Sequence, residues 1–318
     1  MRALLFALLV ACAPVSACAQ QPPDAEQWRE IASTAAPAPL GAETAGALRF
    51  LGGVALDSPE ENFGGLSDIA VQPDGAFVSV SDAGFLIRGR LTLSETGAPT
   101  GVSDLAYAPM RDENGALFPS KEDADAEGLA LQADGMLAVS FEQTQTIRFF
   151  NLNDPRAPST AGPVLEAASS LPSNGGLEAL APMSDGRLLV GAEDTGELWI
   201  ATPGATTPAP RVAQIRLPLG YGLVELEPLP NGDFIALLRF YAPVIGTRIK
   251  IWRLDGAALA QSRAVTTELA HLQGPLALDN FEGVSVVPTQ TGARLYIVSD
   301  DNYNTRQRTL IYAFELAN

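Results

Sequence analysis

Cysteine is missing from all but the first twenty residues of this 318-residue chain, where Cys12 and Cys18 stand. Disulfides therefore do not hold its folded part together. Histidine is scarcer still: His271 is alone, which excludes a His-clustered metal site and His-based phosphatase chemistry. Positive charge is in short supply, with 20 Lys and Arg against 37 Asp and Glu and a formal charge of −17. Nucleic acid and anionic membranes both need a basic footprint, so neither is an expected partner. The chain has no G-x-S-x-G elbow and no phosphate-cradling loop of the G-x-x-x-x-G-K-S/T or G-x-G-x-x-G kind, so those chemistries have no support. Long amphipathic helical patterns are missing too.

What is present is a large apolar fraction, 47 % of residues, broken by 29 Gly and 24 Pro. That combination predicts many short strands joined by turns. The N-terminus differs from the rest. Met1-Arg-Ala is a short basic start, Leu4–Val10 an apolar run too short to span a bilayer, and Ala17-Cys18-Ala19 a small-residue cleavage site. Residues 1–19 read as a secretory signal. Val15-Ser-Ala-Cys18 also resembles a lipobox, in which Cys18 is lipidated. The protein is expected outside the cytoplasm, periplasmic or extracellular, with a lipid anchor on Cys18 as the alternative and its only contact with a membrane. Residues 20–44, rich in Ala, Pro and Gln, read as a flexible linker in which Glu26–Ser33 could make two helical turns. Residues 45–318 are the expected domain, working as a monomer.

One pattern returns within that domain. A Gly precedes an apolar strand, an Asp-Gly or Asn-Gly turn follows, then a second apolar strand and an acidic end. Copies start at Gly65, Gly128, Gly176, Gly222 and Gly283, spaced 63, 48, 46 and 61 residues apart. Periods of this size with repeated hairpins mark β-propeller blades. The longer intervals are read as insertions, Met110–Asp125 and Thr266–Asp279, the second a short helix carrying His271. Third strands follow, over Phe85–Leu93, Gln145–Leu152, Gly196–Ala201 and Arg248–Leu254. The last copy shows three strands, and Gly46–Leu56 can supply its fourth. The fold class is therefore all-β: a single propeller of five blades, closed by an N-terminal strand joining the C-terminal blade. Six blades would require one copy to have diverged beyond recognition. Trp199 and Trp252 fall on third strands as core or interblade packing.

In a propeller, equivalent positions of every blade gather at the channel. Acids occupy them here. At the starts of first strands stand Asp68, Glu127, Glu178, Glu225 and Glu282, and at the ends of second strands Asp82, Glu142, Glu193, Asp194, Asp300 and Asp301. The two groups need not form one site, since they can lie at opposite strand ends. Carboxylates around one funnel repel unless protonated or neutralised. Hard oxygen ligands without His or thiolate favour Ca²⁺, and Asp68, Glu127, Glu178, Glu225, Glu282, Asp300 and Asp301 are the candidate ligands. The competing reading is that these acids bond backbone amides and hold the blades together. Glu282 or Glu178 would serve as general base, and Arg239, standing where other blades have an acid, would hold an anionic group unless it pairs with neighbouring acids.

Gly64-Gly-Leu-Ser-Asp68 with Ser79-Val-Ser-Asp82, Asp125-Ala-Glu-Gly128, Asn280-Phe-Glu-Gly283, and Val298-Ser-Asp-Asp-Asn302 with Gln307-Arg-Thr-Leu310 carry a family resemblance. The chain resembles, from about Gly46 to Leu316, the bacterial phytase-like domain family labelled "esterase-like activity of phytase". The resemblance implies an exported propeller acting on phosphate esters with calcium. Where relatives tend to place an acid beside the arginine, the run here is Leu237-Leu-Arg-Phe240. Two functions follow as expectations: a Ca²⁺-assisted hydrolase of a small anionic ester, or a non-catalytic propeller that binds an envelope ligand or protein. A lactonase or sugar-acid hydrolase is a third.

Overall fold

The computed structural model describes residues 28–317. Five antiparallel sheets follow one another along the chain. Blade 1 is built from Leu66–Val71, Ala76–Ser81, Phe85–Leu93 and Pro99–Pro109, and blade 2 from Ala126–Leu131, Met136–Phe141, Thr146–Asn151 and Thr160–Ala161. Blade 3 comprises Leu177–Pro182, Leu188–Ala192, Glu197–Ala201 and Arg211–Gln214; blade 4, Tyr221–Pro228, Phe234–Ala242, Gly246–Leu254 and Thr266–Leu272. Blade 5 holds Asn280–Thr289, Gly292–Asp300 and Thr309–Ala317, and its fourth strand is Leu48–Asp57 from the other end of the chain. That pairing closes the ring and leaves blade 5 without an open edge there. The innermost strands of neighbouring blades pack on one another all the way round, blade 5 on blade 1 included.

Local chemistry accounts for the hairpins. Gly75, Gly135, Gly186 and Gly232, the second members of the Asp-Gly and Asn-Gly turns, all have φ between +83° and +90°, a conformation open to glycine at little cost. Alternating apolar residues on both faces of each blade then fill the gaps. Among the described residues there are five buried apolar clusters, one between each pair of neighbouring blades. Trp199 is one of the largest, buried between blades 2 and 3 with its indole N–H donating to the Glu166 carbonyl at 3.1 Å. Trp252 is partly buried against the cluster between blades 3 and 4.

Three sequence expectations are corrected. The linker does not extend to residue 44. Arg29–Glu30 adds a strand to the outside of blade 1, and Thr34–Pro37 and Thr44–Ala45 pair with the closing strand. Ile31, Ala38 and Leu40 are buried in the adjoining cores. Low apolar content misled because few side chains suffice when the backbone itself is paired. The two helical turns expected over Glu26–Ser33 give way to that strand where the structure describes them. Likewise the helix expected to carry His271 is the fourth strand of blade 4, Thr266–Leu272, where His271 Nε2 lies 3.1 Å from the Tyr221 hydroxyl. A helical turn does occur nearby, over Gly256–Leu259, capped by Asp255. The insertion Met110–Asp125 carries another, Lys121–Ala124, capped by Ser120. The signal segment and Cys18 lie outside the described residues.

Candidate functional site

Antiparallel pairing decides where the acids go. In each blade the start of the innermost strand sits opposite the end of the second: Leu66 faces Ser81, Ala126 faces Phe141, Leu177 faces Ala192, Gly222 faces Arg239 and Asn280 faces Asp300. The two groups of carboxylates therefore lie at one end of the channel. A β-bulge interrupts every one of these pairings just beyond that point, and a bulge re-aims side chains.

The bulge splits the five first-strand acids, which the sequence treats as equivalent, into two tiers. Glu127, Glu178 and Glu282 precede the inner apolar residues Leu129, Leu180 and Val284 by two positions, whereas Asp68 and Glu225 directly precede Ile69 and Leu226. One position along a strand is about 3.3 Å, so Asp68 and Glu225 sit deeper. At that depth blades 2, 3 and 5 carry Gly128, Ala179 and Gly283. A Cβ at Gly128 would stand 2.1 Å from the Glu178 carbonyl, and one at Gly283 2.5 Å from the Asp68 Cα, so the lower tier has room for the two acids alone.

The lower acids staple blades together. Asp68 accepts hydrogen bonds from Ile69 N at 2.7 Å and, across the gap to blade 2, from Leu129 N at 3.0 Å. Glu225 accepts from Leu226 N at 2.6 Å and from Leu180 N of blade 3 at 3.1 Å. Their carboxyl groups stand against each other. Burial pushes Asp68 up to about 7 and, with the repulsion of Asp68, holds Glu225 well above the usual carboxylate range. Neither falls in the three-acid groups that could hold a cation; Asp68 spends both oxygens on amides, whereas Glu225 bonds its two amides through Oε1 and its Oε2 has no hydrogen-bond partner among the described residues. Glu227 continues the pattern below, accepting from Val286 N of blade 5 at 3.3 Å.

The upper tier is the candidate site. Two sets of three carboxylates each bring one oxygen apiece within 4.8 Å of one another: Asp125, Glu127 and Glu142, and Glu142, Glu178 and Glu193. Glu142 is common to both. It is 4 % exposed and anchored by the backbone N–H groups of Gly175 and Gly176, the latter at 3.3 Å. Glu178 is 8 % exposed and shares the second set with Glu142 and Glu193. Burial, reinforced by the surrounding acids, holds Glu127 and Glu178 well above their ordinary range and raises Glu142. Buried carboxylates set against one another are costly unless they are protonated or meet a cation. The donor set is all hard oxygen, which fits Ca²⁺.

Of the sequence candidates, Glu127 and Glu178 therefore fall in the cation-competent groups. Glu282, Asp300 and Asp301 do not. Asp301 ties blade 5 to blade 1, accepting from Gly65 N and Tyr303 N at 3.0 Å and from the Thr309 hydroxyl at 2.9 Å. Asp300 accepts from Asn302 N at 2.6 Å, and burial pushes it up to about 9. Glu282 accepts from the Asn280 amide at 2.9 Å and from Arg239; burial lifts it to about 7 against the pull of that guanidinium. Arg239 also reaches Asn280 Oδ1 at 2.6 Å and Glu193 Oε1 at 3.2 Å, with 21 % of its side chain exposed. It pairs with acids, as the competing reading had it. Asp125, Glu142 and Glu193 complete the site. All three are visible in the sequence, but only the antiparallel register shows that they join the first-strand acids.

Glycines make this crowding feasible. Gly65, at φ +60°, would place a Cβ 2.1 Å from Asp82 Oδ1, and Gly222 would place one 2.4 Å from Glu193 Oε1.

A family model described as "Phytase-like: Esterase-like activity of phytase" matches residues 61–303. No curated protein matches the chain. Among solved structures it is similar to virginiamycin B lyase from Staphylococcus aureus, at 10 % identity and a TM-score of 0.45 over 90 % of this chain and 100 % of that one. It is similar also to a protein of unknown function from Bacteroides thetaiotaomicron, at 14 % identity and 0.47 over 90 % and 70 %. A PQQ-bound aldose sugar dehydrogenase from Streptomyces coelicolor gives 15 % and 0.41 over 90 % and 100 %. Likenesses this distant fix neither substrate nor chemistry.

Proposed function

The chain belongs to the phytase-like family, and we propose that it is an exported, Ca²⁺-assisted hydrolase of phosphate or other esters, with its site at the upper tier of acids. One observation carries this reading: two three-carboxylate groups share Glu142 in a buried hub. Asp125, Glu127, Glu142, Glu178 and Glu193 would hold the cation. When bound, such an ion polarises an ester oxygen and acidifies a nearby water. The rest falls to the chain's own residues. Glu282, lifted to about 7, is suited to take a proton from the attacking water near neutral pH, because a general base works best when its pKa lies near the working pH. Arg239 and Asn280 fix its carboxylate in place. The test is release of phosphate or p-nitrophenol from model esters with Ca²⁺, lost with chelator. Absence of turnover on every ester, with and without metal, would overturn it.

A second reading has its own support. Asp68, Glu225 and Asp301 are committed to backbone amides between blades, and Arg239 is bound to acids. A non-catalytic propeller binding an envelope ligand or partner would use these acids as structure. Ca²⁺ binding without turnover would favour it.

Export itself is part of the proposal. Mass analysis of the mature N-terminus separates its two forms: an unmodified Gln20 end means plain cleavage, a lipidated Cys18 means an anchor.

A further inference from the structure

Two side-chain cations reach the hub among the described residues, and they differ in what they have left to give. Arg239 spends its guanidinium on Glu282, Asn280 and Glu193. Lys121 stands at the opposite flank, on the helical turn inserted between blades 1 and 2. Its ammonium donates to Asp82 Oδ2 at 2.7 Å and to Asp125 Oδ1 at 3.4 Å. An ammonium has three donors, so one remains. The side chain is 58 % exposed, whereas the acids it touches are 15 % and 12 % exposed. Lys121 therefore faces solvent at the rim with its charge directed at the hub. Asp125 is the decisive link: one carboxylate belongs both to the Lys121 pair and to the cation-competent group with Glu127 and Glu142.

We propose that Lys121 is the anion-binding residue of this site, gripping the negatively charged oxygen of an ester whose reacting group meets the hub, so that the site selects anionic esters. The proposal rests on the hydrolase reading and names its substrate class. An anion entering here would meet Lys121 on one side of Asp125 and, on the other, the carboxylates that would hold the cation. A compact ammonium at an open rim suits this role, since it can bond a phosphate or carboxylate without leaving its own partners. The sequence candidate for the same task, Arg239, is too fully engaged to perform it.

The experiment uses the full chain with Lys121→Met, which keeps the apolar stem, and Lys121→Arg, which keeps the charge. Calorimetry first titrates Ca²⁺ into each, then phenylphosphonate, a non-hydrolysable mimic of a phosphate monoester, into the Ca²⁺-loaded protein. Lys121→Met should bind phenylphosphonate about tenfold more weakly, the loss of about one charged hydrogen bond, and Ca²⁺ no more weakly than before. Lys121→Arg should stay within about threefold of the parent for both. Equal phosphonate affinity in all three proteins, or none in the parent, overturns the proposal. So does a parallel loss of Ca²⁺ and phosphonate in Lys121→Met, which would make Lys121 a prop for Asp125. If the parent binds no Ca²⁺, the hydrolase reading fails by itself. Phenylphosphonate titrated without metal then decides Lys121 alone, by the same comparison of parent and Lys121→Met.

Discussion

Asp68 and Glu225 meet across the channel from blades 1 and 4, and burial holds both carboxyl groups above their ordinary range. Each also accepts two backbone N–H groups, one of them from a neighbouring blade. Four sheets are thereby fastened through two side chains at the axis of the wheel.

That arrangement can be tested by substitution. Glu225→Gln keeps a carbonyl oxygen for Leu180 N and Leu226 N and an N–H for Asp68, so its cost should be below about 1.5 kcal/mol. Glu225→Ala strands both amides and opens a gap, and should cost about 3 kcal/mol or more. Chemical denaturation of the two variants decides it; equal losses would show that the pair is not the fastener.

Stability without metal should fall as pH rises, the reverse of most acidic proteins. Asp68 and Glu282 are lifted to about 7 and Asp300 to about 9. A carboxyl whose folded pKa exceeds its unfolded value near 4 binds its proton more tightly in the folded state. Its contribution is complete below about pH 4 and is lost as pH climbs through the folded pKa. Melting temperatures should drop between about pH 5 and pH 9, and Asp300→Asn should flatten the alkaline end. A Tm that rises over this range would contradict the burial of the hub acids.

Calcium should reverse that loss. A ligand at about 100 times its Kd stabilises by about 2.7 kcal/mol, which in a chain of this size raises Tm by roughly 5 °C. Glu142→Gln, removing the carboxylate common to both three-acid groups, should abolish the shift. Glu225→Gln should keep it, because Glu225 lies outside both three-acid groups. Differential scanning calorimetry with Ca²⁺ and with chelator reads all three.

Arg239→Met leaves Glu193 and Glu282 without their shared countercharge. Breaking a buried pair from one side costs about 3–5 kcal/mol. The loss should be large at pH 8 and smaller at pH 5, where Glu282, lifted to about 7 by burial, takes up a proton. Unfolding in urea at the two pH values checks it; a loss independent of pH would assign Arg239 to packing alone.

The N-terminal segment should matter to the fold. Leu40 is fully buried between blades 4 and 5, so Leu40→Ala should cost about 2–5 kcal/mol. A truncated chain starting at residue 45 also loses Ile31, Ala38 and the strand over Thr34–Pro37. It should melt earlier and aggregate through the uncovered edge of Leu48–Asp57. Unchanged melting would return residues 28–44 to the role of a tether.

The sequence by itself determined the repeat. Apolar alternation and the Asp-Gly and Asn-Gly pairs are local signals, set by backbone sterics and side-chain period, and they pointed to five hairpins, all-β class and closure by a strand within Gly46–Leu56. They also supplied nearly every acid of the hub, and with Asn280-Phe-Glu-Gly283 and Val298-Ser-Asp-Asp-Asn302 the family. Tertiary structure alone decided which acids work together. Register placed Glu142 and Glu193 beside Glu127 and Glu178, and a one-residue offset at the bulge sent Asp68 and Glu225 down to become staples. Lys121 reached the rim because an inserted turn folded back over blade 1. Such meetings depend on where separate blades stop against one another, and packing across a closed ring leaves no trace in the spacing of residues along the chain.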